Sequence, residues 1–303
     1  MSDRMPLSPT VRGAFFMVLA TFGFSVMHAM IQYLGKQGLH GFEIAFFRNL
    51  FGLFALTPIF IRHGLEPFRT SRLKLHGLRG LVNSVAMLLF FYGVTTGIPL
   101  GMVQALSFTA PLFTCLLAAV FLGERMRMHR WSALLIGFAG AMVILRPGAQ
   151  PVEFGAICLI VSSLLWGVAM IIIKRLTATD SAVTVALYMM LLMGPITGIA
   201  ASFVWTWPTP DQWPWLVAIG IIGTASQVSF THSFRLADAT AVLPFDFGKL
   251  IWSAIIGFLV FSQVLDIWVW IGGAMVFSGG LYIAWRERKV TGKVTKPEVA
   301  KPV

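Results

Sequence analysis

Three charged side chains stand inside long apolar runs of this 303-residue sequence: Arg48, Asp246 and Lys249. An unpaired charge at the centre of a bilayer costs at least about 2.5–3.5 kcal/mol on insertion scales, so a charge retained in such a run is a candidate for function. Asp246 and Lys249 are spaced i, i+3, on one face of a helix and close enough to pair. Pro244, just ahead of them, removes a backbone donor and lets the helix bend around a cavity. Lys249 is expected to face that cavity, with Asp246 tuning it or meeting an amine. The plainer alternative is a structural salt bridge beside a packing kink. Arg48 follows Phe42 closely enough to lie about 9 Å into its helix at a rise of about 1.5 Å per residue, and His28 falls at a similar depth. A guanidinium flanked by Asn49 and near an imidazole can clamp a carboxylate, although an arginine stretching its head to the membrane surface would have the same sequence. His28 by itself reads as a hydrogen-bonded core residue.

Gln104, Gln227, His232 and Asn83 are further large polar side chains within the runs. The first three are candidate ligand contacts; Asn83, close to a helix end, reads as a hydrogen bond between helices. Trp166 and Trp252 fall inside runs, away from the interfacial belt in which Trp205, Trp207, Trp213 and Trp215 belong. Interior tryptophans either pack or line a cavity and stack on a planar ligand. Two deep bases against one deep acid leave this set net positive, which favours a carboxylate-bearing or zwitterionic solute over a lipophilic cation.

The frame that must hold these residues is set by composition. The hydrophobic share is 57% and the charged share 12%, against about 25% charged in soluble proteins. So much apolar surface cannot be hidden inside a globular fold of this length, and the chain is expected to live in a bilayer. A crossing helix needs about 20 mostly apolar residues. The runs of that kind are Gly13 to Leu34, Phe42 to Ile61, Gly80 to Thr96, Leu100 to Leu122, Trp131 to Leu145, Phe154 to Ile173, Ala182 to Trp205, Trp213 to Phe234, Thr240 to Phe261 and Ile267 to Trp285. The fold class is therefore an all-α polytopic membrane protein of ten transmembrane helices. The first run is too long for a signal-peptide core and lacks a convincing cleavage site, so it reads as a helix.

Ten crossings put both termini on one side, and the basic residues say which. On the terminal side fall Arg4, Arg12, Arg62, Arg69, Arg72, Lys74, Arg79, Arg125, Arg127, Arg130, Lys174, Arg175, Arg235 and six more after Trp285. On the opposite side are only Lys36 and Arg146. That imbalance predicts cytoplasmic termini, in a bacterial inner membrane. It also accounts for the net charge of +11 without nucleic acid. Cys115 and Cys158 sit in apolar runs with no ligand spacing, so neither a disulfide framework nor a metal site is expected.

The chain divides into residues 1–150 and 151–303, each with five runs. "ALSFTAPLFTCLLAAVFLGERMRMHRWSALLIGFAGAMVILRPG", starting at Ala105, lies over "VLPFDFGKLIWSAIIGFLVFSQVLDIWVWIGGAMVFSGGLYIAW", starting at Val242. Both read as a helix, a turn after Gly-Glu or Ser-Gln, a Trp-led restart and a small-residue helix. Because five is odd, the second half must insert upside down, giving two inverted five-helix repeats around a central cavity. With these blocks, and with "EIAFFRNLFG" opening the second helix, the sequence from about Val11 to Arg286 resembles the EamA-like group of the drug/metabolite transporter superfamily. One departure is visible: Glu124 of the first repeat is matched by Gln263 in the second, where the family often has Glu again.

The resemblance implies a carrier, and the residues agree. There is no H-E-x-x-H, G-x-S-x-G or nucleotide loop and no paired acids, so an enzyme is not expected; a channel would need a charge ring or a carbonyl filter. No cofactor is expected. The expected partners are a small-molecule substrate and the lipid bilayer, and the oligomeric state carries no sequence signal. Members of the resembled group export amino acids and opine-like metal chelators, or import riboflavin or S-adenosylmethionine. The cationic bias favours export of an amino-acid-derived carboxylate or zwitterion, and the interior tryptophans favour import of a vitamin or cofactor. Proton coupling could run only through Asp246 or His28, so exchange and facilitated diffusion stay open.

Overall fold

The computed structural model describes residues 9–63, 70–122, 128–148, 151–176, 179–180, 182–237 and 239–294. Glu124 lies outside them. Among the described residues there are twelve helices and no strand. They are α1 (Pro9–Lys36), α2 (Gly41–His63), α3 (Leu73–Thr95), α4 (Leu100–Ser107), α5 (Ala110–Leu122), α6 (Met128–Leu145), α7 (Phe154–Leu176), α8 (Ala182–Ser202), α9 (Trp213–Leu236), α10 (Ala239–Asp246), α11 (Gly248–Phe261) and α12 (Ile267–Val294). Ten rods result, because α4 with α5 and α10 with α11 are each one apolar run broken in the middle. Six stretches are long and apolar enough to cross a membrane, among them α1, α7 and the joined α4–α5.

A proline stands near each break. Pro111, just after the first, has no N–H for the carbonyl of Ser107, and Pro244, inside α10 one turn before the second, has none for that of Thr240. At the first break the Leu106 carbonyl accepts both the N–H of Thr109 at 3.1 Å and its hydroxyl at 2.7 Å, and lies 3.5 Å from the Ser163 hydroxyl of α7. Sequence expectation put the start of the third helix at Gly80, but α3 begins at Leu73. The extra turns are polar yet partnered: Arg79 donates to the Val185 carbonyl at 2.6 Å, and the His76 Nε2–H donates to Asp180 at 2.7 Å. Asp180, in the turn between α7 and α8, also accepts the Thr70 hydroxyl at 2.6 Å.

The two halves are equivalent at a shift of 139 residues, seen where α6 crosses α12. A Cβ on Gly140 would lie 2.7 Å from the Gly272 carbonyl oxygen, and one on Gly279 would lie 2.7 Å from that of Ala133. Ala133 plus 139 is Gly272 and Gly140 plus 139 is Gly279, so each contact is the other seen through a two-fold axis. The helices run antiparallel, since a step back along α6 goes with a step forward along α12. Equivalent helices in opposite directions are an inverted repeat. The register differs by two residues from that obtained by laying Ala105 on Val242: Phe108 falls on Phe247, the two residues at the breaks, and their rings stack at 6.0 Å. A near match to the shift recurs at the periphery. Lys36, ending α1, lies over the Phe261 ring, while its equivalent Arg175, in the last turn of α7, donates to the carbonyl of Phe121, next to the equivalent of Phe261. Each repeat is swapped into the other, with α1 packed on α9 and its equivalent α7 on α3.

Candidate functional site

The break between α10 and α11 carries Asp246 and Lys249, whose side chains meet at 2.6 Å and are 15% and 18% exposed. The ammonium also lies 5.4 Å from the Phe24 ring centroid and 5.1 Å from that of Phe230, within the range of cation–π attraction. Two hydroxyls hold this end of α11 on α1: Ser25 donates to the Lys249 carbonyl at 3.2 Å and Ser253 donates to Ser25 at 3.1 Å.

One turn along α1 from Phe24 is His28, buried and bonded through Nδ1 to the buried Gln104 amide at 2.6 Å. An amide N–H₂ only donates, so Nδ1 is the acceptor and the ring proton is on Nε2. Phe90 lies 5.0 Å from the His28 ring and 5.2 Å from Trp166 of α7. Arg48, on α2, reaches into the seam between α1 and α9. A Cβ at Gly223 would stand 2.6 Å from the Met27 sulfur and 3.5 Å from the Arg48 Nε, so the glycine makes room for Met27 while the guanidinium lies at ordinary contact distance. Arg48 donates to Asn49 Oδ1 at 3.1 Å, and Asn49 in turn donates to Thr197 of α8 at 3.3 Å. Its Nε is buried without a hydrogen-bond partner, and among the described residues no carboxylate stands within ion-pair distance of it. Arg48 and Lys249 both lie within electrostatic reach of the His28 ring.

His28, Gln104, Asp246, Lys249 and Trp166 are thus joined through Phe24, Phe90 and Phe230, and Arg48 stands by Gly223, whose added Cβ would meet Met27, the residue before His28. Gln227 is exposed, yet it shares the face of α9 that buries Gly220 and Gly223 and carries Phe230. It looks inward without being covered. The structure places the other two elsewhere: His232 packs edge-on to Phe16 at 4.7 Å in the α1–α9 seam, and Trp252 packs edge-on to Phe22 at 5.3 Å. Phe22 is 44% exposed on the outer side of α1, so Trp252 belongs to the periphery. Glu43, in the first turn of α2, is fully buried and accepts the Thr206 N–H at 2.6 Å and the His40 N–H at 3.1 Å, which makes it the cap of α2. Among the described residues no cluster of three His, Cys, Asp or Glu is placed to hold a metal. Phe24 and Phe230 went unread in the sequence; the available signal was Phe24 one turn from His28.

An inverted pair of five-helix units with charged and aromatic groups at its broken helices is a carrier's architecture. The EamA-like transporter family matches residues 11–146 and 153–285, one match for each repeat. The chain belongs to the EamA-like transporter family. It is similar to a riboflavin transporter of Rhizobium johnstonii, 32% identical over 286 residues that cover 93% of this chain and 94% of that one. It is similar to an S-adenosylmethionine uptake transporter of Rickettsia bellii, 29% identical over 93% of this chain and 96% of that one. A pseudopaline exporter of Pseudomonas aeruginosa is 27% identical over 87% of this chain and 93% of that one. A solved crystal structure has the same fold, with a TM-score of 0.60 at 17% identity over 93% of this chain and 98% of that one. This EamA-like protein is therefore a multi-pass membrane transporter whose relatives move small molecules. In such a protein the cluster around Arg48 and Lys249 can attract an anionic group, offer a carboxylate to a cationic one, and sandwich an apolar or planar part between rings.

Proposed function

We propose that this protein is a secondary transporter working by alternating access and that it exports an amino-acid-derived carboxylate or zwitterion of the opine type. The observation that carries this reading is the half-buried Arg48, whose Nε is buried without a hydrogen-bond partner and which meets no carboxylate among the described residues. A solute carboxylate supplies the missing partner through charge-assisted hydrogen bonds, while Asp246, shared with Lys249, receives an ammonium group. The likeness to a pseudopaline exporter supports the direction. The loop charges support cytoplasmic termini, with the α1–α2 and α11–α12 turns outside.

A second reading is uptake of a larger cofactor, and a separate observation favours it. Phe90 and Trp166 stand beside His28, where a planar ring could stack. S-adenosylmethionine joins such a ring to an amino-acid zwitterion, and two of the relatives are named for riboflavin and S-adenosylmethionine transport. The test is counterflow in proteoliposomes. Vesicles preloaded with unlabelled opine-type amino acids, S-adenosylmethionine or riboflavin are offered the labelled form. Transient accumulation of an opine-type compound supports the first reading, and accumulation of either cofactor alone replaces it with the second. Metabolite profiles of medium and cells, with and without the gene, then give the direction.

A further inference from the structure

If both gates of an inverted repeat were in one state, every contact would have an equivalent in the other half. Most do. The largest exceptions are that α1 packs on α3, α2 on α3, and α4 on both α11 and α12, whereas the equivalent pairs α7–α9, α8–α9, α10–α5 and α10–α6 have no comparable packing among the described residues. These four contacts lie at the end of the bundle that carries the α1–α2 turn. There, a Cβ on Gly35 would lie 2.7 Å from Thr95 and one on Gly41 2.8 Å from the backbone of Phe91. At the opposite end Gln227 and Thr231 face inward and are exposed.

One hydrogen-bond network ties the closed end. Gln32, fully buried on α1, donates to the Ile98 carbonyl in the turn before α4 at 2.6 Å. Its own oxygen accepts from Gln263 Nε2 at 2.9 Å, and Gln263 Oε1 accepts the Leu100 N–H at 3.0 Å. Gln263 is aimed by the backbone. Ser262 adopts φ 54°, and the Gln263 N–H closes on the Gly257 carbonyl at 3.0 Å, the left-handed ending of α11. The network thus joins α1, the α3–α4 turn and the α11–α12 turn, the segments that must part for this end to open. At the shift of 139 residues the equivalent of Gln32 is Ile171, which is buried and apolar, so the other end cannot reuse the device.

We infer that Gln32 and Gln263 are the outer gate, and that the conformation described here is closed to the outside and open to the cytoplasm. The inference rests on alternating access and on cytoplasmic termini. It is tested on the purified full chain in lipid nanodiscs, in a Cys115→Ala, Cys158→Ala background. One pair of spin labels at Thr96→Cys and Val264→Cys spans the closed end, and another at Phe121→Cys and Arg235→Cys spans the open end. Two variants are compared with the parent: Gln32→Ala with Gln263→Ala, which removes the network, and Gly41→Leu, which wedges α2 from α3. The expected result is a longer distance across the first pair and a shorter one across the second, in both variants. Unchanged distances in both variants overturn the gate, and so does loosening at both ends together with a lower melting temperature. Counterflow by the parent is measured separately: its absence for every solute overturns alternating access itself, whatever the distances do.

Discussion

Removing Asp246 and Lys249 singly and together separates a binding site from a structural ion pair. Removing one partner of a fully buried pair costs about 3–5 kcal/mol, because the other charge is left uncompensated. Here the side chains are 15% and 18% exposed, so water reaches them and about 2–3 kcal/mol is expected for Lys249→Gln. Asp246→Asn leaves the ammonium between Phe24 and Phe230, and cation–π attraction of about 0.5–2 kcal/mol offsets part of the loss. Its cost should be smaller, about 1–2 kcal/mol. The double variant has no stranded charge and should regain most of the stability, giving a coupling energy of about 2–4 kcal/mol. Reversible unfolding in mixed micelles measures all four proteins, and counterflow measures their transport. The site reading expects the double variant to be folded, inserted and inactive. A double variant that recovers both stability and transport would refute it, leaving the pair as a clip across a helix break.

Arg48→Gln should abolish transport with little loss of stability, since it removes a half-buried charge that meets no carboxylate among the described residues; unchanged counterflow would remove Arg48 from the site. Gly272→Ala puts a methyl group within 2.6 Å of Ile144 and against the Gly140 carbonyl, an overpacking expected to cost about 1–3 kcal/mol; unaltered unfolding would show that α6 and α12 do not cross as described. The hydrogen bonds to Asp180 from Thr70 foremost and then His76 hold its carboxyl below the ordinary carboxylate value. A carboxyl with a lower pKa folded than unfolded stabilises above its unfolded value, about 3.9, and that stabilisation is lost as pH falls through the folded one. Between about pH 6 and pH 3 the wild type should therefore lose more stability than Asp180→Asn, and equal losses would contradict the assignment.

The span pattern was legible because hydropathy reports a residue's preferred solvent, and the bilayer is that solvent for most of this chain. Pro244 announced one broken helix. Pro111 carried the same signal for the other, but there it stood beside no charge to draw attention. The start of α3 was missed because His76 and Arg79 look like loop residues until Asp180 and Val185, about a hundred positions later, supply their partners. Facing was the least legible property. Helices apolar on all sides have no polar stripe to mark their outer surface, so Trp252 and His232 read as interior when their depth was known and their direction was not. Gln32 was passed over for the same reason, its partner Gln263 lying in the other repeat.

The two-fold axis has a consequence for the shape of the solute. An assembly of two identical five-helix units would have to present the same groups on both sides of its axis, and its site would suit a molecule with matching ends. Joining the units in one chain lifts that rule. Arg48, Asp246 and Lys249 fall opposite Leu187, Ser107 and Ala110, and His28 falls opposite Gly167. Each chemical function occurs once, off the axis, in a scaffold that is still two-fold in outline. Such a scaffold holds a molecule with a charged head and a different tail in a single orientation, and keeps hold of the same end while the two halves exchange roles.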